Sequence, residues 1–157
     1  MNSPRNVYTV KVALFYEKRT CREIEILGSQ TLDDLHKAIF EAFDRFDEHL
    51  YSFFMTRKKM TGITRMYDYP EYIHPQGIEK SGYGFVRRKQ ANAKKTRLDA
   101  LELTSGTVFY YLFDFGDEWW HEITVKTIEP EKEGVKFPRI VKVQGASPDQ
   151  YPDVEEE

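Results

Sequence analysis

Between residues 7 and 17 apolar and polar side chains alternate, with Val10, Val12 and Leu14 pointing one way and Thr9 and Lys11 the other. That period of two marks a half-buried strand. Ile24 and Ile26, flanked by Glu23 and Glu25, continue the pattern. For both apolar sets to share a face, Leu14 must oppose Ile24 and Val12 must oppose Ile26, around an odd turn at Lys18-Arg19-Thr20. Cys21 then points outward near the hairpin tip. The period next changes to that of a helix over residues 31–46: Leu32, Leu35, Ile39, Ala42, Phe43 and Phe46 form one stripe. Thr31 is the expected N-cap, with Asp34 three residues on in a capping box. Asp33, Lys37, Glu41 and Asp44 make the wet side, and His36 borders the stripe, about 20° from Phe43.

His49 stands before a third strand, Leu50 to Thr56. Residues 66–69 read as a short strand stopped by Pro70, residues 71–96 as mainly loop, and residues 98–103 as a short helix. The richest apolar pattern is TVFYYLFDFGDEWWHEITVKTI, residues 107–128, two strands reversing at Gly116-Asp117. A two- or four-residue loop there sets Asp114 opposite Trp119, Leu112 opposite His121 and Tyr110 opposite Ile123. Val108, Tyr110, Leu112 and Asp114 then share a face with Trp119, His121, Ile123 and Val125. Asp114 and His121 become diagonal neighbours, roughly 7 Å apart at Cβ. Residues 140–143 add a last strand, and residues 144–157 an extended or frayed acidic, Pro-containing tail. With residues 1–6 as an N-terminal tail, one domain spans 7–143. The element order predicts an α+β fold: a mixed β-sheet with one main helix packed across one face, β-grasp-like.

Composition narrows the class. The 157 residues are 40% hydrophobic and 15% aromatic, enough for one well-filled domain. No apolar run approaches the roughly 20 residues of a membrane helix, and the N-terminus lacks a signal-peptide pattern. The single cysteine leaves no Cys-rich metal motif, and the expected location is cytoplasmic, with no membrane partner. Charge is uneven: residues 57–98 hold eleven Lys or Arg against three acids, and residues 117–157 eleven acids against five bases.

REIEILGSQTLDDLHKAIFEAFDRFDEHLYSF together with FYYLFDFGDEWWHEI resembles the plasmid pRiA4b ORF-3-like family over roughly residues 7 to 143. The shared signatures are Leu35-His36, His49-Leu50 and the hairpin Phe113, Asp114, Phe115, Gly116, Asp117, Trp119, His121. FPRIVKVQGASPDQYPD departs from the Cys-Pro-Pro-Glu-Asp segment of many members. The resemblance implies a fold and a mobile-element context, not an activity.

Three functional expectations follow. The foremost is a small soluble binding or interaction module, with Phe109, Tyr111, Phe113 and Trp120 forming an aromatic sheet face for a protein partner. The second is a polar site of His36, His49, Asp114, Asp117 and His121, in which His36, Asp114 and His121 could hold a divalent metal for hydrolase-like chemistry. The third is nucleic-acid association through Arg87, Arg88, Lys89, Lys94, Lys95 and Arg97. Structural roles compete with the second: Asp117 capping its own turn, and Asp114 holding His121 or backbone amides. No catalytic residue is assigned.

Overall fold

In the computed structural model, residues 5–80 and 90–151 are described, residues 79 and 80 by their backbone alone. Among these residues eight strands form a single mixed sheet in the order β5-β4-β3-β6-β7-β1-β2-β8. They are β1 (Asn6–Leu14), β2 (Glu17–Leu27), β3 (Tyr51–Phe54), β4 (Glu71–Ile73), β5 (Gln90–Asn92), β6 (Val108–Phe113), β7 (Trp119–Pro130) and β8 (Arg139–Gln144). All neighbours run antiparallel except β4 and β5. The α-helices α1 (Leu32–Ala42) and α2 (Pro75–Lys80) complete an α+β fold. Among the described residues no helix is long and apolar enough to cross a membrane.

The capping box at the start of α1 forms as the spacing predicts: Thr31 accepts from the Asp34 amide while Asp34 accepts from the Thr31 amide. The stripe is shorter than expected, because α1 ends at Ala42 and leaves Phe46 72% exposed. Asp33, expected on the wet side, is buried.

Both hairpin registers differ from expectation. At the first, the chain turns at Phe15-Tyr16, so Val10 opposes Ile24 and Tyr8 opposes Ile26. The slide relative to the expected pairing is an even number of residues, so the apolar set still shares a face. Cys21 moves from the expected tip to a buried position opposite Ala13.

The second difference has larger consequences. Phe113 pairs with Trp119, Leu112 with Trp120 and Tyr111 with His121, around the five residues Asp114 to Glu118. The loop is odd because Asp114 and Glu118 both adopt left-handed backbone, at φ 68° and 56°, conformations that Asp tolerates better than most residues. Asp114 Oδ1 also accepts from the Gly116 and Asp117 amides, at 3.0 and 3.2 Å. A shift of one position exchanges the faces of one strand against the other. Phe109, Tyr111 and Phe113 therefore lie beneath α1 with His121 and Ile123, while Tyr110, Leu112 and Trp120 face the opposite side under Met60, Ile63 and Met66.

The expected aromatic binding face is thus split between two cores, and all four of its rings are buried. The expected strand at 66–69 is a 3-10 turn, Met66–Asp68. The expected loop of 71–96 contains β4, α2 and β5. Beyond β8, residues up to Tyr151 are fastened rather than frayed. Gln150 accepts from the Phe46 and Asp47 amides and donates to the Asp47 carbonyl. Buried Arg22 reaches the Ala42 carbonyl at the end of α1 and Ser147 in that same segment.

Candidate functional site

One end of the sheet collects the polar chemistry. There β3 begins, β4 and β5 end, and β6 finishes at Phe113, since Tyr51 pairs with Phe113, Ser52 with Ile73, and Ile73 with Asn92. The first half of α1 crosses over this end, tied by the Leu32 amide to the Thr96 carbonyl at 2.9 Å. Between them lies a cavity of about 420 Å³ lined by Asp33, His36, Lys37, Glu48, His49, Leu50, His74, Gln76 and Lys94.

Its floor is a chain of hydrogen bonds. Tyr51 donates to Asp33 Oδ1 at 2.5 Å, and Lys37 sits 3.4 Å from Asp33 Oδ2, one turn along α1. His36 stacks on the Tyr51 ring, 4.1 Å between centroids at 14°. Its Nε2 meets Glu48 at 3.0 Å and its Nδ1 meets the Tyr111 hydroxyl at 2.6 Å. An ionised carboxylate only accepts, so Nε2 carries the hydrogen, and in the neutral ring Nδ1 accepts from the phenol.

Burial pushes the Asp33 carboxyl up, but the Tyr51 hydrogen bond, the facing His36 ring and the Lys37 charge outweigh it and leave it below the ordinary value. The His36 hydrogen bond likewise lowers Glu48 against the effect of burial. Both acids are therefore ionised at neutral pH. On the far wall, burial and then the Lys94 charge push His74 down. Its Nδ1 accepts from the Gln76 amide at 3.1 Å, so the neutral ring presents Nε2–H as a donor.

Tyr111 is raised well above the usual phenol range by burial. It is a hydrogen-bond donor to His36, not an activated nucleophile. Both nitrogens of His36 are occupied, which leaves it no lone pair for proton abstraction.

The expected polar-site residues separate. His36 and His49 line the cavity. Asp114 lies at its edge, 3.4 Å from His49 Nε2, with His49 also bonded to the Tyr151 hydroxyl at 2.6 Å. Asp117 is exposed on the loop. His121 is fully buried and belongs to a different environment, its Nδ1 bonded to the Tyr111 carbonyl at 3.2 Å and its ring against Phe43. Burial and the nearby Arg45 charge push it well below the usual imidazole range. Among the described residues, no three His, Cys, Asp or Glu side chains converge to hold a metal ion, the set His36, Asp114 and His121 included.

Of the expected nucleic-acid contacts, Arg87, Arg88 and Lys89 fall outside the described residues. Lys94 lines the cavity, Lys95 is exposed, and Arg97 pairs with Asp99 at 2.6 Å. Sequence reasoning passed over Asp33, Glu48 and His74 as site residues. Asp33, His36 and Lys37 follow the i, i+3, i+4 spacing of one helix face, a usable signal; nothing local marks His74.

A family model for plasmid pRiA4b ORF-3-like proteins matches residues 6–154. The chain belongs to that family. A solved structure, protein of unknown function MM3350 from Methanosarcina mazei Go1, aligns with a TM-score of 0.73 at 25% identity. The alignment covers 94% of this chain and 75% of that one. The curated proteins give no match. Neither the family's description nor that of the archaeal structure assigns an activity, so function has to be argued from the cavity.

Proposed function

We propose that this pRiA4b ORF-3-like protein is a binding module that takes a small polar ligand in the cavity between α1 and the ends of β3, β4 and β5. The observation that carries it is the pair Asp33 and His36, buried on a helix whose remaining inward positions are Leu, Ile, Ala and Phe. An apolar pair there would spare the cost of desolvating a charge. Instead both side chains are oriented by tyrosine hydroxyls at the wall of an open cavity. The volume falls in the range of small-molecule sites, about 300–1,000 Å³. Occupied imidazole nitrogens and a raised phenol favour recognition over catalysis.

The helix crossing the sheet after the first hairpin supports a β-grasp-like description. The lone buried thiol, Cys21, supports a reducing, cytoplasmic setting.

The test is a thermal-shift and NMR screen of charged, metabolite-sized compounds against the full chain, repeated on Asp33→Asn. We expect at least one compound to move the His36 and His74 ring signals and to lose affinity in the variant. Compounds that perturb only residues outside the cavity would overturn the proposal.

A further inference from the structure

The charges around the cavity are sorted by position. Asp33 and Lys37 neutralise one another across one turn of α1. Among the lining residues that leaves two charges of opposite sign, Asp114 at the edge being engaged by His49 and by its own turn. Glu48, whose Oε1 is held by His36, has its second oxygen without a hydrogen-bond partner among the described residues and its side chain 61% exposed. Lys94, in the turn after β5, has no carboxylate within ion-pair distance among the described residues. His74 and Gln76 line the same cavity, the Gln76 backbone amide spent on His74 Nδ1 and the ring's Nε2–H open, and the Lys94 charge acts on that ring more strongly than Glu48 does.

A simple anion drawn to Lys94 would face the Glu48 carboxylate, and a simple cation drawn to Glu48 would face the Lys94 ammonium. Like charges brought together in a partly dehydrated site are costly. A ligand carrying both charges at opposite ends satisfies both walls at once.

Resting on the reading of the cavity as a binding site, we propose that its ligand is a small zwitterion of amino-acid or dipeptide size, the ammonium toward Glu48 and the carboxylate toward Lys94 and His74. The Asp33–Lys37 pair then serves as a neutral floor, and Gln76 is placed to bond a peptide or side-chain amide.

The experiment is an NMR titration of the full chain, following the imidazole signals of His36, His49 and His74. The probes are glycylglycine, its N-acetylated form, which lacks the ammonium, and its C-terminal amide, which lacks the carboxylate. We expect glycylglycine to bind at least about tenfold tighter than either blocked form. Lys94→Gln should bring it down to the affinity of the amide, and Glu48→Gln to that of the acetylated form. Both positions are exposed, so the fold survives the substitutions and the spectrum reports it.

A blocked form that binds as tightly as glycylglycine overturns the zwitterion while leaving the cavity a binding site. No cavity shift with any of the three probes also overturns the zwitterion, and the wider compound screen then judges the cavity by itself.

Discussion

Two imidazoles hang on one tyrosine. His36 takes the Tyr111 hydroxyl, and His121 takes the Tyr111 carbonyl. The first lies at the end of the sheet, with both nitrogens bonded and the cavity beside it. The second is enclosed by Tyr111, Phe43 and the Arg45 guanidinium, and among the described residues its Nε2 has no hydrogen-bond partner. Arg45 Nη1 and Trp119 Nε1 share that condition, while the guanidinium lies over the rings of Phe43, Phe113 and Trp119 at 5.1–5.2 Å. Burial lowers Arg45 to about 10, which still leaves a cation at neutral pH. Two family-signature histidines therefore do different work. One organises polar groups around an opening, and the other is a neutral packing element next to a caged cation.

The largest expected effect comes from removing what they share. Tyr111→Ala deletes a fully buried ring packed against Phe53, His36 and His121 and should cost about 3–5 kcal/mol. Urea denaturation reads this directly. A loss under about 1 kcal/mol would mean the two sites do not depend on a common anchor.

Acid should then separate them. His121 is depressed in the folded state, so below its unfolded value of about 6.5 the unfolded chain binds more protons, and stability falls as pH falls. The contribution is full above pH 6.5 and is lost progressively toward the folded pKa, at about 1.4 kcal/mol per unit of depression. His74 adds a smaller term of the same sign, since it is only partly buried. His121→Leu should flatten the stability profile between pH 6.5 and 5, a window above the titration of the acids. An unchanged slope in that variant would show that His121 is not the neutral packing element described.

The contrast between these histidines was half legible from the residue pattern. Alternation and helical spacing located β1, β2, α1 and β8, and the capping box at Thr31 and Asp34 is purely local. Register is not local. Gly116-Asp117 invites a tight even turn, yet the loop is shaped by Asp114, which takes a left-handed conformation and binds two amides of its own turn. That choice moves Tyr111, rather than Leu112, opposite His121 and puts the aromatic set inside. The cavity was harder still. His74 and Lys94 reach the cavity through the short parallel pair β4 and β5, and their segment carries no periodicity to announce it.

A conservative substitution sharpens the comparison further. Tyr111→Phe removes the hydroxyl that serves His36 and keeps the carbonyl that serves His121. Leaving a buried imidazole nitrogen unpaired should cost about 1–2 kcal/mol. In NMR spectra the His36 ring signals should move while those of His121 stay in place. Equal movement of both would show that the ring, not its polar atoms, divides the sites.

The smallest effect tests whether the cavity depends on where α1 starts. Thr31 accepts from the Asp34 amide at 3.2 Å and receives Asp34's carboxylate on its own amide at 2.9 Å. This box fixes the first turn, and Asp33, His36 and Lys37 lie within the next six residues. Thr31→Ala removes one half of the box and should cost about 1 kcal/mol. The first turn of α1 should also lose protection in amide exchange relative to β6 and β7, because local opening needs only the turn to fray. His121, held by strands and not by the helix start, should keep its signals. The Tyr51–Asp33 hydrogen bond ties the same turn to β3. If first-turn protection is unchanged in Thr31→Ala, that sheet-side bond rather than the cap holds Asp33 at the cavity, and Tyr51→Phe becomes the variant that loosens it.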